Sequence, residues 1–480
     1  MLSFVLPGLG QAAVGLVRRG LLLFLPILAI ALLVGWVLAG SSLSAKLELA
    51  FSPEVLTALL IGNVIVAAYR IIVMIDARRS AISVEQPRQP SHRGSAVLLA
   101  ILIVATVALH GTIEVVGYQT YTTMDEVFGG PPVGADASSD PDAWQIPDAS
   151  FEPDDTPTPA PTPSATATGT PTATPSPTPS PTPAPAWAKD GRLNLLLIGS
   201  DSGPGRWSLR TDTMIVLSVD VEGGRAAMFG IPRNMTGVPL APESKAAFPN
   251  GRFPGLLNAL YVYAMGHPRN FPGGDARGFR AVTGAVQELV GVKLDGAVVV
   301  DLIGFVKLVD AVGGLWIDIP ERVVDNHYPP ENGGRKIRIT FKPGCQHLNG
   351  HRALAYARTR HQDSDYGRMR RQQATLLALA HQTDPIGLLP EVPELLKIAG
   401  EHLWTTLKRN QIGALAALAA RVDPGEVETT TFTPPNYPSH MTTAWIKRIR
   451  REVRNAFDGP APKPTPSPTG TEAPIDTCRG

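Results

Sequence analysis

The sequence is short of cysteine and of net charge, and each shortage removes a class of function. Cys345 and Cys478 are the only 2 cysteines in 480 residues, too few and too far apart for a zinc site. Lys and Arg number 43 against 42 Asp and Glu, leaving a formal net charge of +1. No basic field draws the chain to nucleic acid, so no nucleic-acid partner is expected. No glycine-rich loop ends in Gly-Lys-Ser or Gly-Lys-Thr, which excludes P-loop chemistry. GSDSG has the outline of a nucleophile elbow, but its centre is Asp201 and not serine, which excludes an α/β-hydrolase.

Long apolar runs and proline are what the chain has in excess. Residues 21–39, 55–74 and 97–117 are each long enough to cross a hydrocarbon core of about 30 Å at about 1.5 Å per residue. Two further spans follow the first, and no small-residue cleavage site is clear, so the first reads as an anchor and not as a signal peptide. Residues 1–124 therefore read as a membrane anchor with three transmembrane helices. Arg18 and Arg19 precede the first span, and Arg70, Arg78, Arg79, Arg88 and Arg93 cluster between the second and third. The intervening loop has only Lys46, offset by Glu48. The excess of basic residues on one side predicts a multi-pass protein of the cell membrane with a cytoplasmic N-terminus and everything after Tyr118 outside.

Much of the proline, 46 residues in all, lies in two stretches. Residues 125–187 form a Pro-, Thr- and Ser-rich segment with almost no large apolar side chain, which has too little to bury and favours extended polyproline II. At about 3.1 Å per residue its densest thirty residues span roughly 90 Å, which suggests a spacer that holds a domain away from the membrane. Residues 459–480 form a second Pro-rich tail. Between them, residues 188–458 read as an extracellular α/β domain. The apolar run 193–198 bounded by Gly199 reads as a strand buried on both faces. TMIVLSVD, RAAMFGIPRN and TTTFT read as further strands. LLNALYVYA, 278–290, 302–311, 391–407, 411–421 and 442–457 read as helices, with Gly313-Gly314 as a stop before another strand.

The densest charge lies in LNGHRALAYARTRHQDSDYGRMRRQQA. There Arg352, Arg358, Arg360, Arg368, Arg370 and Arg371 fall within twenty positions, which makes either an anion site or the wet face of an amphipathic helix. An extended YARTR puts Arg358 and Arg360 on the same side. Asp365 then caps a helix starting at Tyr366, on which Arg368 and Gln372 share a face. Arginine suits a diphosphate because its planar fork pairs two oxygens at once. GSDSGPGRWSLRTDT adds Asp201 and Asp212 around Arg206 and Arg210, and two carboxylates beside a phosphate site are what Mg2+ takes. GIPRN places Arg233 just after a strand, and LNALY supplies Asn258.

In this order, the GSD strand, RTDT, IPRN, LNALY, VDLIGFVKLVDAVGG and PGCQHLNGHRALAYARTRHQDSDYGRMRRQQ resemble the LytR-CpsA-Psr family of cell-wall phosphotransferases, over about residues 193–382. The resemblance implies a three-layer α/β/α domain with a central mixed sheet. It implies a magnesium-dependent transfer of a teichoic-acid-like or polysaccharide glycopolymer from a polyprenyl pyrophosphate carrier to peptidoglycan. By position, Asp201 and Asp212 match the metal-linked aspartates. Arg210, Arg233, Arg358, Arg360, Arg368 and Gln372 match the pyrophosphate set, with Asp212, Arg233, Arg358 and Arg360 closest to the chemistry. Asp212 or Asp201 is then the base at hand for an attacking muramyl hydroxyl. Two departures stand out. Leu256-Leu257-Asn258 replaces a common Lys-Ile-Asn and removes one phosphate contact, and three spans replace the usual one. A polyprenyl pyrophosphatase using water as acceptor and a non-catalytic lipid or polysaccharide receptor are the alternatives.

Placed outside the membrane, Cys345 and Cys478 are in an oxidising setting and are expected to pair. On the chain-entropy model a closed loop of this length contributes about 4 to 5 kcal/mol.

Overall fold

The computed structural model describes residues 2–41, 46, 49, 52–84, 92–129, 191–202, 209–331, 334–360, 364–383, 392–457 and 478. Most of the expected linker and tail lies outside these residues, as do Arg206 and the rest of its loop.

Two short helices, α1 (Leu2–Val5) and α2 (Leu9–Ala13), precede three long ones, α3 (Val17–Gly40), α4 (Pro53–Val84) and α5 (His92–Gly129). The three long helices are apolar and long enough to cross a membrane. Their polar side chains are used between helices. Buried Gln11 donates to the Val73 carbonyl and to Asp76, both at 3.0 Å, folding α2 back onto α4. Asn63 donates to the His110 carbonyl at 2.9 Å and to Glu114 at 3.0 Å, tying α4 to α5. Such bonds hold spans together where lipid offers no hydrophobic drive for their association.

The domain follows as β1 (Arg192–Ser200), β2 (Thr211–Asp220), β3 (Ala226–Gly230), β4 (Val238–Pro239), β5 (Arg252–Phe253), α6 (Leu260–Gly266), α7 (Arg277–Val290) and β6 (Gly296–Val300). Next come α8 (Leu302–Ala311), β7 (Leu315–Ile319), β8 (Val323–Tyr328), β9 (Ile337–Phe341), β10 (Gly344–Leu348), α9 (Gly350–Arg358) and α10 (Asp365–Gln382). The described fold closes with α11 (Val392–His402), β11 (Leu403–Thr405), α12 (Ile412–Ala419), β12 (Glu428–Thr431) and α13 (Thr443–Arg454). The central sheet has the order β11-β6-β1-β2-β3-β12. It is mixed, with β1 parallel to β6 but antiparallel to β2, and β12 parallel to β3.

Alternation along β1 builds two cores, because successive side chains leave a strand on opposite faces. Leu196 and Ile198 join Val282, Val286 and Leu289 of α7 and Ile449 and Val453 of α13 on one face. Leu193 and Leu195 join Leu407 and Leu418 on the other. A third cluster under β7, β9 and β10 takes up Ala353, Ala355 and Tyr356 of α9. Cys345 of β10 lies opposite Asp318 of β7 and is disulfide-bonded to Cys478. It is thus held on a strand.

Three expectations are revised. The helix expected over 391–407 stops at His402, because Leu403–Thr405 pairs with β6 as an edge strand. LNALY begins as a 3-10 turn before α6. YARTR is not extended: Asn349 caps α9 by accepting from the Arg352 amide, and the helix runs through Arg358.

Candidate active site

A cavity of about 520 Å³ opens at the carboxyl ends of β1 and β6 and the start of β2, where parallel neighbours of an α/β sheet leave room for a ligand. Its lining includes every residue expected at the phosphate and metal sites: Asp201, Arg210, Asp212, Arg233, Arg358, Arg360, Arg368 and Gln372.

The charges are held by one another. Asp212 Oδ1 accepts from Arg233 at 2.9 Å and from the Asn258 amide at 3.1 Å, and its carbonyl accepts from Arg368 at 3.0 Å. Burial pushes the Asp212 pKa up, but Arg233, with Asn258 and Arg368 behind it, outweighs burial and holds the carboxyl below its ordinary value. Asp365 accepts from Nε and Nη2 of Arg368, both at 3.0 Å, and pairs with Arg233 at 3.2 Å. Arg358 lies over the Tyr328 ring, 3.6 Å from the Asp201 carboxylate. Arg360 is exposed at the cavity.

The cap of α10 differs by one residue from expectation. Ser364 caps the helix by accepting from the Tyr366 amide, which frees Asp365 for its two arginines. Sequence reasoning therefore missed Asp365 as a site residue, although its spacing of three from Arg368 carries the signal. It also missed Tyr328, whose hydroxyl bonds Glu331 at 2.9 Å, and Asp301, Asp325, His327 and Lys336 in the lining.

Of the other arginines in the dense stretch, Arg371 and Arg352 are structural. Arg371 donates to the Tyr356 carbonyl at 3.0 Å and to the Thr359 carbonyl, fastening α9 to α10. Arg352 lies over Phe341 and donates to the Thr340 carbonyl. Arg370 is exposed and outside the lining.

Away from the charges the cavity becomes apolar. On α10, Arg368, Gln372, Thr375, Leu376 and Leu379 all line it, at the spacing that keeps side chains on one helix face. The face grades from cation to amide to hydroxyl to aliphatic over about 16 Å, at about 1.5 Å per residue. Phe305 and Leu308 of α8, Leu354 of α9 and Leu403 of β11 complete the apolar part.

The profile of the LytR_cpsA_psr family matches residues 162–451, more than half of the chain. The chain belongs to the LytR_cpsA_psr family. Among curated members of similar sequence, the polyisoprenyl-teichoic acid–peptidoglycan teichoic acid transferase TagV of Bacillus subtilis is 28% identical over 226 residues, 47% of this chain and 52% of TagV. The regulatory protein MsrR of Staphylococcus aureus (strain Mu50) is 27% identical over 220 residues, 45% of this chain and 57% of MsrR. The chain thus spans about half the length of the curated LytR_cpsA_psr relatives it matches. Among solved structures, that of B. subtilis TagV aligns with a TM-score of 0.41 at 24% identity, over 56% of this chain and 97% of TagV. TagT bound to LIIa-WTA aligns with a TM-score of 0.38 at 19% identity, over 56% of this chain and 91% of TagT.

Proposed function

We propose that the chain transfers a glycopolymer from a polyprenyl pyrophosphate carrier to peptidoglycan on the outer side of the cell membrane, leaving a phosphodiester link. The observation that carries this reading is the graded cavity: one wall helix runs from Arg368 through Gln372 to Leu376 and Leu379, matching a molecule whose diphosphate head continues into a hydrocarbon tail. The name of the TagV relative supports the same reading.

The acceptor hydroxyl attacks the phosphorus that bears the glycan, the P–O bond to the second phosphate breaks, and polyprenyl phosphate leaves. Charge on the transferring group and on the leaving oxygen is met by Arg210, Arg233, Arg358, Arg360 and Arg368, of which Arg233, Arg358 and Arg368 are already oriented by Asp201, Asp212 and Asp365. Such preorganised charge is the main protein contribution to phosphoryl transfer. Apolar side chains around the tail contribute about 0.8 kcal/mol per methylene-sized group removed from water.

Asp201 and Asp212 fit magnesium by chemistry: both offer only oxygen, both line the cavity, and Asp212 is held ionised by Arg233. The ion would take its remaining ligands from phosphate and water and supply further charge neutralisation. An Asp212 so stabilised is a poor proton acceptor, and Asp201, 3.6 Å from Arg358, could take the hydroxyl proton only while it is not a magnesium ligand.

The test is product analysis with the full chain in nanodiscs, a polyprenyl-pyrophosphate glycan and a peptidoglycan oligomer. Mass spectrometry should find the glycan joined to the acceptor through one phosphate, with polyprenyl monophosphate released. Glycan phosphate in place of the joined product would make the protein a pyrophosphatase. An intact carrier bound tightly in the cavity would make it a receptor.

A further inference from the structure

The third span does not end short of the domain but runs into it. α5 continues to Gly129, past the boundary at 124 expected from sequence. Its Met124 and Val127 are buried, and Phe128 packs against the core cluster that contains Leu193, Leu195 and Leu407. Arg409, just beyond β11, lies over the Tyr121 ring at 5.5 Å and faces the carboxylates of Asp125 and, from the start of α4, Glu54. Its Nε and one terminal nitrogen are buried without a hydrogen-bond partner among the described residues. The ring and the two carboxylates offset part of what burial costs this cation.

Two consequences follow from that packing. Leu193 and Leu195 open β1, the first strand after the Pro-rich segment, while Phe128 lies one residue from the last described position before it. Phe128 on one flank of the segment and Leu193 and Leu195 on the other thus meet in one cluster. The second consequence concerns the cavity wall. β11 and α11 both touch α5, and α11 also packs on α8. Leu403 of β11 and Phe305 and Leu308 of α8 line the apolar part of the cavity, so the wall around the lipid tail is the wall that rests on the third span.

We propose that the ends of the second and third spans form a seat for the catalytic domain, fastened by Phe128 and Arg409, which delivers the polyprenyl tail from the bilayer into the cavity past α8 and β11. This proposal rests on the polyprenyl reading of the cavity. A tail crossing water to reach a domain on a long tether exposes apolar area at a cost proportional to that area. A wall held at the end of a span removes that exposure. It also gives α4 a role beyond crossing the membrane, since its Glu54 belongs to the seat.

The experiment uses the full chain in nanodiscs, with spin labels at Gln119→Cys and Glu321→Cys, two exposed positions on α5 and on the domain. Cys345 and Cys478 are bonded to each other and do not take the label. The seat predicts one narrow distance distribution, which broadens when Phe128→Asp and Arg409→Ala are combined; a broad distribution without those substitutions would overturn it. Delivery predicts that the same pair of substitutions lowers kcat/KM for a long-chain lipid in the bilayer by at least about tenfold, while a water-soluble short-prenyl substrate is turned over as before. Equal loss on both substrates would overturn delivery. If the unaltered seat turns over neither substrate, the polyprenyl reading itself fails, and the label distances still decide the seat.

Discussion

At the scale of single residues, the arginines of the dense stretch separate by what they bond to. Arg371 and Arg352 donate to main-chain carbonyls of Tyr356, Thr359 and Thr340, acceptors that exist only once the chain has folded, so nothing in the sequence distinguishes them from the phosphate set. Arg360 is exposed at the cavity, which makes Arg360→Ala the clean test of charge. Transfer should fall by roughly a hundredfold, as when one transition-state donor is lost, while thermal unfolding stays within about 0.5 kcal/mol. Unfolding of that variant would show the residue to be structural. Asp365→Ala should lose stability together with transfer. It leaves Arg368, whose side chain is 5% exposed, without its bidentate partner, and breaking a buried pair costs about 3 kcal/mol. Denaturant unfolding measures this, and an unchanged midpoint would remove Asp365 from the scaffold. A third expectation concerns Asp201 and Asp212: chelation should abolish transfer and added magnesium restore it, with Asp212→Asn raising the magnesium needed for half activity. Full activity in chelator excludes the metal.

At the scale of elements, what could be read from the sequence was what repeats within an element. Asp301 and Gly313 bracket α8, and Leu302–Ala311 forms as the 302–311 pattern predicts, because cap, apolar period and stop agree. The paired ribbons β8–β9 and β7–β10 went largely unread, since β8, β9 and β10 are short, half-polar strands whose pairing is decided by partners elsewhere in the chain. The error over YARTR has the same origin. Two arginines two apart fit a strand, but the Asn349 cap and the burial of Ala353, Leu354, Tyr356 and Ala357 fit a helix, and packing against α8 selects it. Gly350 is where these helices touch: a Cβ there would lie 2.1 Å from the Val306 carbonyl oxygen. Gly350→Ala should therefore push α9 off α8, destabilise the domain by about 2 to 3 kcal/mol and displace Arg358 at the far end of α9. A lowered melting temperature with lost transfer is expected; a melting temperature unchanged from wild type would mean that the crossing relaxes at no cost.

At the scale of the whole molecule, the proposed transfer requires the cavity to face the outer side of the membrane. The end of the bundle where α4 passes to α5 carries Arg70, Arg78 and Arg79 of α4, Arg88 after it and Arg93 at the start of α5, against Lys46 alone between α3 and α4, and such a bias keeps the richer end in the cytoplasm. Arg70 and Arg19 are also where α1 and α3 are tied to α4, through the Phe4 carbonyl and Asp76, so one end of the bundle carries both the charge and the folded-back N-terminal helices. A disulfide such as Cys345–Cys478 favours an oxidising compartment. Both lines support the proposed placement of the domain outside, where a peptidoglycan acceptor would be met. A cysteine at Ser42, in the poorer loop, should react with a membrane-impermeant maleimide on intact cells, and one at Ser83, at the end of α4, should react only after permeabilisation. Neither native cysteine competes, because each occupies the other. The reverse labelling pattern would put the arginine-lined cavity in the cytoplasm, where it has no cell-wall acceptor, and the proposed transfer would fall with it.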